Sequence, residues 1–130
     1  FIMKSFITIV FLFVFAVSNA QDRVYLETQA YSYSYLSDGN WTNWCDWLLC
    51  DLTITADLKN NRITVDNKNN DVFTIFKYKE KVVTSEYEIL QFTCRDKDNL
   101  ICVVSFCFGK NSCVYIEYSN AKVQYLLKDK

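Results

Sequence analysis

From residue 24 onward the chain alternates. Apolar and polar side chains trade places every second residue, in runs separated by short clusters of Asn, Asp, Ser and Lys. That is the period of extended strand, not of helix. In 24–36, Tyr25, Tyr31, Tyr33 and Tyr35 are expected on one face and Ala30, Ser32, Ser34 and Leu36 on the other. Further on, Leu48, Cys50, Leu52, Ile54, Ala56 and Leu58 share a face, and Asp51, Thr53, Thr55 and Asp57 take its reverse. Such a strand has one dry side and one wet side. Ile63 and Val65 point inward on a short strand, and 72–78, 87–95, 100–108, 113–118 and 122–127 follow as further strands, with 79–86 read as a charged connection.

The intervening clusters are turns. Lys59-Asn60-Asn61, 67–71 and 96–99 are rich in Asn and Asp, which accept the left-handed backbone of tight hairpins. No apolar i, i+3, i+4 pattern persists after residue 20. The pattern therefore predicts an all-β domain, a single antiparallel meander of about eight strands. A meander with one apolar face must hide that face and its edges, so a small barrel or strongly curved sheet is expected, with a sandwich as the alternative.

The first twenty residues differ. Lys4 precedes an uncharged run, and small residues stand at Ser18 and Ala20. This order is that of a secretory signal peptide, expected over 1–20 with cleavage after Ala20, leaving one domain over 21–130. The run is shorter than the roughly 20 residues of a membrane span, so no stable membrane anchor is expected after cleavage. The protein is expected to be secreted or periplasmic. All six cysteines, Cys45, Cys50, Cys94, Cys102, Cys107 and Cys113, follow that point. An even count in a short exported chain reads as three disulfides. Hairpins centred on Asp98 and Lys110 would set Cys94 opposite Cys102 and Cys107 opposite Cys113. Cys45 and Cys50 can join only if the chain between them loops, because five extended residues span roughly 16 Å. The rival pairing takes Cys50 inward to Cys94 or Cys102.

Between those first two cysteines the chain is dense in indoles. Trp41, Trp44 and Trp47 recur at every third residue in Trp41-x-x-Trp44-x-x-Trp47-x-x-Cys50. The run resembles the opening of a thrombospondin type 1 repeat, but Asp51-Leu52-Thr53-Ile54 stands where that family continues Cys-Ser-x-Thr-Cys-Gly. Gly39-Asn40-Trp41 matches the Gly-x-Trp of lipocalins, a likeness of fold. A broader frame spans most of 21–130: Trp44…Leu52-x-Ile54, Arg62-Ile63-Thr64-Val65, Phe92-x-Cys94-x-Asp96…Cys102-x-Val104, Val114-Tyr115-Ile116-x-Tyr118 and Tyr125. It resembles small exported bacterial proteins of unassigned function with a lipocalin-like meander. The resemblance implies the fold and carries no activity.

Candidate chemistry is narrow. The chain has no histidine and only two glycines, so His-based general bases, His nucleophile pairs and Gly-rich phosphate loops are absent. No metal site and no cofactor are expected, since zinc finds neither His nor a Cys-x-x-Cys pair. Net charge is −1 and no basic block occurs, which argues against nucleic acid. Carboxylate pairs such as Asp46 with Asp51, or Glu86 with Glu88, read as polar strand faces. The expected function is a noncatalytic binding module that presents Trp41, Trp44, Tyr31, Tyr33 and Tyr35 to a small ligand, a glycan or an extracellular protein. The alternatives are a secreted inhibitor or effector that docks onto a protein, and a carboxylate-based glycan hydrolase.

Overall fold

Turn residues set the boundaries of the strands. Asp38, Asn61, Asn70 and Asn99 all have φ between 51° and 66°, the left-handed region that Asn and Asp enter most readily. Each lies in a cluster where the sequence predicts a turn. In this computed structural model the described residues are 23–128, without the side chain of Glu80; the expected signal segment lies outside them. Ten strands follow in order: β1 (Val24–Ser37), β2 (Asn40–Trp41), β3 (Leu48–Leu49), β4 (Thr53–Asp57), β5 (Arg62–Val65), β6 (Asp71–Val83), β7 (Tyr87–Arg95), β8 (Ile101–Gly109), β9 (Cys113–Glu117) and β10 (Ala121–Leu127). The one helical element among them is a 3-10 turn at Leu58–Asn60.

Every neighbouring pair is antiparallel. The sheet runs β10-β9-β8-β7-β6-β5-β4-β1, and β10 pairs back onto β1. Eight strands therefore close a barrel, and β2 and β3 lie along β1 as short additions. The closing register runs from Thr28 opposite Leu127 to Tyr35 opposite Ala121. Closure removes the edges that an open meander would expose, which is why this topology forms a barrel and not a sandwich.

The interior is filled by side chains. Ile54, Ala56, Ile63, Val65, Val104, Phe106 and Val114 are fully buried. Phe106 meets Phe92 edge-on at 5.9 Å between ring centroids and stacks with Phe108 at 6.5 Å, geometries that aromatic rings favour.

Two departures from strict alternation change the expected picture. The register between β1 and β10 shifts between Thr28 and Ala30, a bulge at Gln29. A bulge exchanges the faces of a strand. Leu26 stands opposite buried Ile54, whereas Tyr31 stands opposite buried Tyr125. Tyr25 is therefore outside and Tyr31 inside, although simple parity put them together. The second departure is in β6, which continues to Val83 and not to residue 78. Its register against β7 shifts between Ile75 and Lys77 and again between Tyr78 and Glu80, so 79–83 of the run read as a connection is strand and 84–86 alone connects. After those shifts Lys81 stands opposite buried Leu90, and its ammonium lies 3.5 Å from the carboxylate of Glu88. Glu88 is only 1% exposed, and its Oε2 has no hydrogen-bond partner.

At the end of β4, Asp57 is buried and caps the 3-10 turn. Its Oδ1 accepts from Asn60 N at 3.3 Å, both oxygens accept from Asn60 Nδ2, and Arg23 Nε lies 3.4 Å away. The Asn60 side chain holds the Asp57 carboxyl below its ordinary range; burial opposes this, and the Asn60 N–H and Arg23 reinforce it. A depressed carboxyl contributes stability above its unfolded pKa of about 3.9 and loses it as pH falls through the lower folded value. Urea midpoints measured from pH 7 down to pH 2 should fall more steeply below about pH 4 in the wild type than in Asp57→Asn.

Candidate functional site

The tryptophan run lies along one edge of β1, and its spacing follows from how it is held there. Thr42 N–H donates to the Tyr35 carbonyl at 2.9 Å and Cys45 N–H to the Tyr33 carbonyl at 3.0 Å, while Leu48 stands opposite Tyr31. Three residues of the run thus match every two of β1. The run is a succession of bulges, and each tryptophan immediately precedes an anchor: Trp41 before Thr42, Trp44 before Cys45, Trp47 before Leu48.

Such a mismatch breaks the ordinary ladder, and short side chains repair it. Tyr35 N–H donates to Thr42 Oγ1 at 3.1 Å, and Tyr33 N–H points at Cys45 Sγ at 3.3 Å. The displaced carbonyls accept hydroxyls instead: Ser34 Oγ donates to Thr42 O and Ser32 Oγ to Cys45 O, each at 2.6 Å. Lower down, Thr28 Oγ1 donates to Leu52 O and accepts from Leu52 N–H. Thr28, Ser32 and Ser34 are buried, where backbone groups without partners would be costly.

Beyond the bulge, the even-numbered face of β1 turns away from the core, with Ser32 and Ser34 buried against the tryptophan run. Trp41 opposes Leu36, and Lys122 opposes Ser34. The Lys122 ammonium sits 4.3 Å from the Trp41 ring centre and 5.2 Å from that of Trp44, within cation–π range. Trp41, Trp44 and Trp47 remain 39%, 37% and 46% exposed. The tyrosines occupy the other face. Tyr31 packs on the core and tilts against Tyr125 at 6.2 Å, while Tyr33 and Tyr35 stack on each other at 6.4 Å toward the open end and stay exposed. The five aromatic residues expected as one patch are therefore two surfaces on opposite sides of β1. The bulge at Gln29 and the repeated bulges of the run carry no marker in the alternation itself; the triplet spacing of the indoles was their only trace.

All six cysteines are thiols in this structure. Cys94 and Cys102 are directly opposed across β7 and β8, as are Cys107 and Cys113 across β8 and β9. Asp96 N–H donates to the Leu100 carbonyl at 2.9 Å; by alternation Cys94 and Cys102 form a hydrogen-bonded pair, whose Cα atoms lie about 5.5 Å apart, within disulfide reach. Cys45 and Cys50 are not brought together. Their sulfurs lie against Ser32 and Thr28, respectively, separated by roughly 12 Å of strand. Burial, with Cys102 adding, pushes the Cys94 thiol up to about 12, and burial, with the Asp96 charge adding and the Tyr118 hydroxyl opposing, pushes that of Cys102 up to about 11; thiols of this kind are poor nucleophiles.

The acidic residues hold structure. Asp96 Oδ1 accepts from Asp98 N–H and Leu100 N–H, and its Oδ2 accepts from the Tyr118 hydroxyl at 2.8 Å. Asp51 pairs with Lys128 at 2.8 Å. Among the described residues no group of three or more Cys, Asp or Glu side chains is placed to hold a metal ion. No family model matches the chain, and neither a curated protein nor a solved structure does.

Ser32→Ala and Ser34→Ala each leave a carbonyl of the run without its donor. Each should cost about 1 kcal/mol in urea unfolding and speed hydrogen exchange at the Thr42 and Cys45 amides, whereas exposed Ser37→Ala should do neither.

Proposed function

We propose that the protein is an exported, noncatalytic binding module whose ligand lies on the tryptophan row outside the barrel. The observation that carries this reading is the exposure of Trp41, Trp44 and Trp47 on a segment whose backbone is fixed by buried hydroxyls. An indole left in water forfeits a large burial energy, and here a barrel filled by Phe92, Phe106 and Phe108 holds three of them out. Tyr33 and Tyr35 form a second aromatic surface at the open end. A noncatalytic role is supported by the absence of histidine and by the engagement of Asp51, Asp57 and Asp96 in ion pairs and caps. A protein-docking role is favoured by Leu49, which is 91% exposed beside Leu48 and Trp47.

The oxidising setting of an exported chain would join Cys94 to Cys102 and Cys107 to Cys113, the two pairs already opposed. Non-reduced peptide mapping of protein secreted by an expressing host should recover these two linkages; any other partner for Cys94 or Cys107 refutes the assignment.

Intrinsic fluorescence tests the platform. Titration with a panel of oligosaccharides should shift tryptophan emission, and Trp44→Ala should weaken binding about tenfold, a loss of about 1.4 kcal/mol, with an unchanged melting temperature. An emission unmoved by every glycan, together with capture of one defined protein lost in Leu49→Asp, would assign the surface to protein docking.

A further inference from the structure

The tryptophan row continues into a groove. A cleft of about 720 Å³ is lined by Lys79, Gln91, Arg95, Ile101, Val103 and Glu117. Glu117 stands directly opposite Lys122 across β9 and β10, so the cleft and the indole platform meet at that pair. The two ends of this surface are built alike. At one end the Lys122 ammonium lies over Trp41 and Trp44. At the other the Arg95 guanidinium lies 5.0 Å over the ring of Phe76, itself exposed.

The cations at these stations are not neutralised. Lys122 faces Glu117 across the ladder yet makes no ion pair with it and leans to the indoles instead. Among the described residues Arg95 makes one hydrogen bond, from Nη1 to the Asn99 carbonyl at 3.5 Å. Lys79, between the stations, has no carboxylate partner among the described residues. A cation laid on an aromatic face keeps N–H donors free at the rim of that face. Each station thus offers a flat apolar surface with an anion-binding group beside it. An open groove lined by Arg95 and Lys79 and flanked at either end by this arrangement fits a linear ligand of rings that bear carboxylates.

We propose that this surface binds an acidic polysaccharide chain of uronic-acid units. Its sugar rings stack on the indoles and on Phe76, and its carboxylates meet Lys122 and Arg95, with Lys79 beneath the span between them. This rests on the reading of the tryptophan row as a binding platform and adds the charge of the ligand to it. Single-stranded nucleic acid also combines rings with anions; a net charge of −1 without a basic block weighs against it, and the thymidine oligomer below tests it.

The test is a fluorescence titration of the full chain with oligogalacturonate and oligomannuronate, each beside its methyl ester, and with a thymidine oligomer. An acid form should bind about tenfold more tightly than its ester, the contribution of a charge-assisted contact, and salt should narrow the gap. Lys122→Gln and Arg95→Gln should each remove most of the difference, and Lys122→Arg should keep it, with melting temperatures unchanged. Equal binding of acid and ester overturns the acidic ligand and leaves the aromatic platform standing. Binding of neither overturns the uronate ligand, and the platform itself is then decided by the glycan panel and by protein capture in Leu49→Asp. Tighter binding of the thymidine oligomer, or an acid preference that survives both Gln variants, overturns the uronate assignment.

Discussion

Every backbone N–H and C=O along β1 has to find a partner on two edges at once, and the rest of the molecule follows from how this is achieved. One edge is met by β10, which closes the barrel. The other is met first by β4, then by the tryptophan run, then by β2. Only β4, β2 and the two residues of β3 pair there in ordinary fashion. Between them the run is longer than the stretch of β1 it accompanies, so carbonyls and amides fall out of step. The hydroxyls of Thr28, Ser32 and Ser34 restore the missing bonds. These buried hydroxyls, Thr28 before the bulge and Ser32 and Ser34 beyond it, are thus the device that lets a run rich in indoles lie against a barrel without collapsing into it.

Much of this was legible in the residues. Alternation located the strands from β4 onward, Asn and Asp located the hairpins, and parity alone set Cys94 opposite Cys102 and Cys107 opposite Cys113. What could not be read was the side of the strand. In 30–35 small residues alternate with tyrosines, and neither set is clearly the dry one, so a bulge at Gln29 leaves no mark. The register shifts in β6 were hidden for a related reason: Lys79, Glu80 and Lys81 look like a loop, although Lys81 turns inward to reach Glu88. Long cationic side chains can carry their charge out of an interior while their stems line it, and polarity alone then misreports the face. The platform was half legible. Trp41 and Trp44 were marked by their spacing, but Lys122, Arg95 and Phe76 were not, because nothing in sequence ties residues so distant to one groove.

The interior shows a second tension. Phe92, Phe106 and Phe108 give the barrel a dense aromatic filling, and among them Glu88 keeps an oxygen without a partner. A buried carboxylate held by one lysine adds little stability compared with an apolar side chain of the same volume. Together with Lys81 it fixes which way the bulged part of β6 faces, because a slip of one residue would carry the ammonium outward and strand the charge.

The irregular spacing of the tryptophan run has one more effect. Among the described residues the far side of this run has no neighbouring strand, and the barrel keeps an exposed border there, as it does along β6 past Thr74. A straight border of that kind would recruit a strand from another molecule and seed fibrous growth. Here successive amides point at uneven intervals, out of phase with any regular strand that might approach. The kinks that hold the indoles outward therefore also guard the molecule against stacking with its own kind.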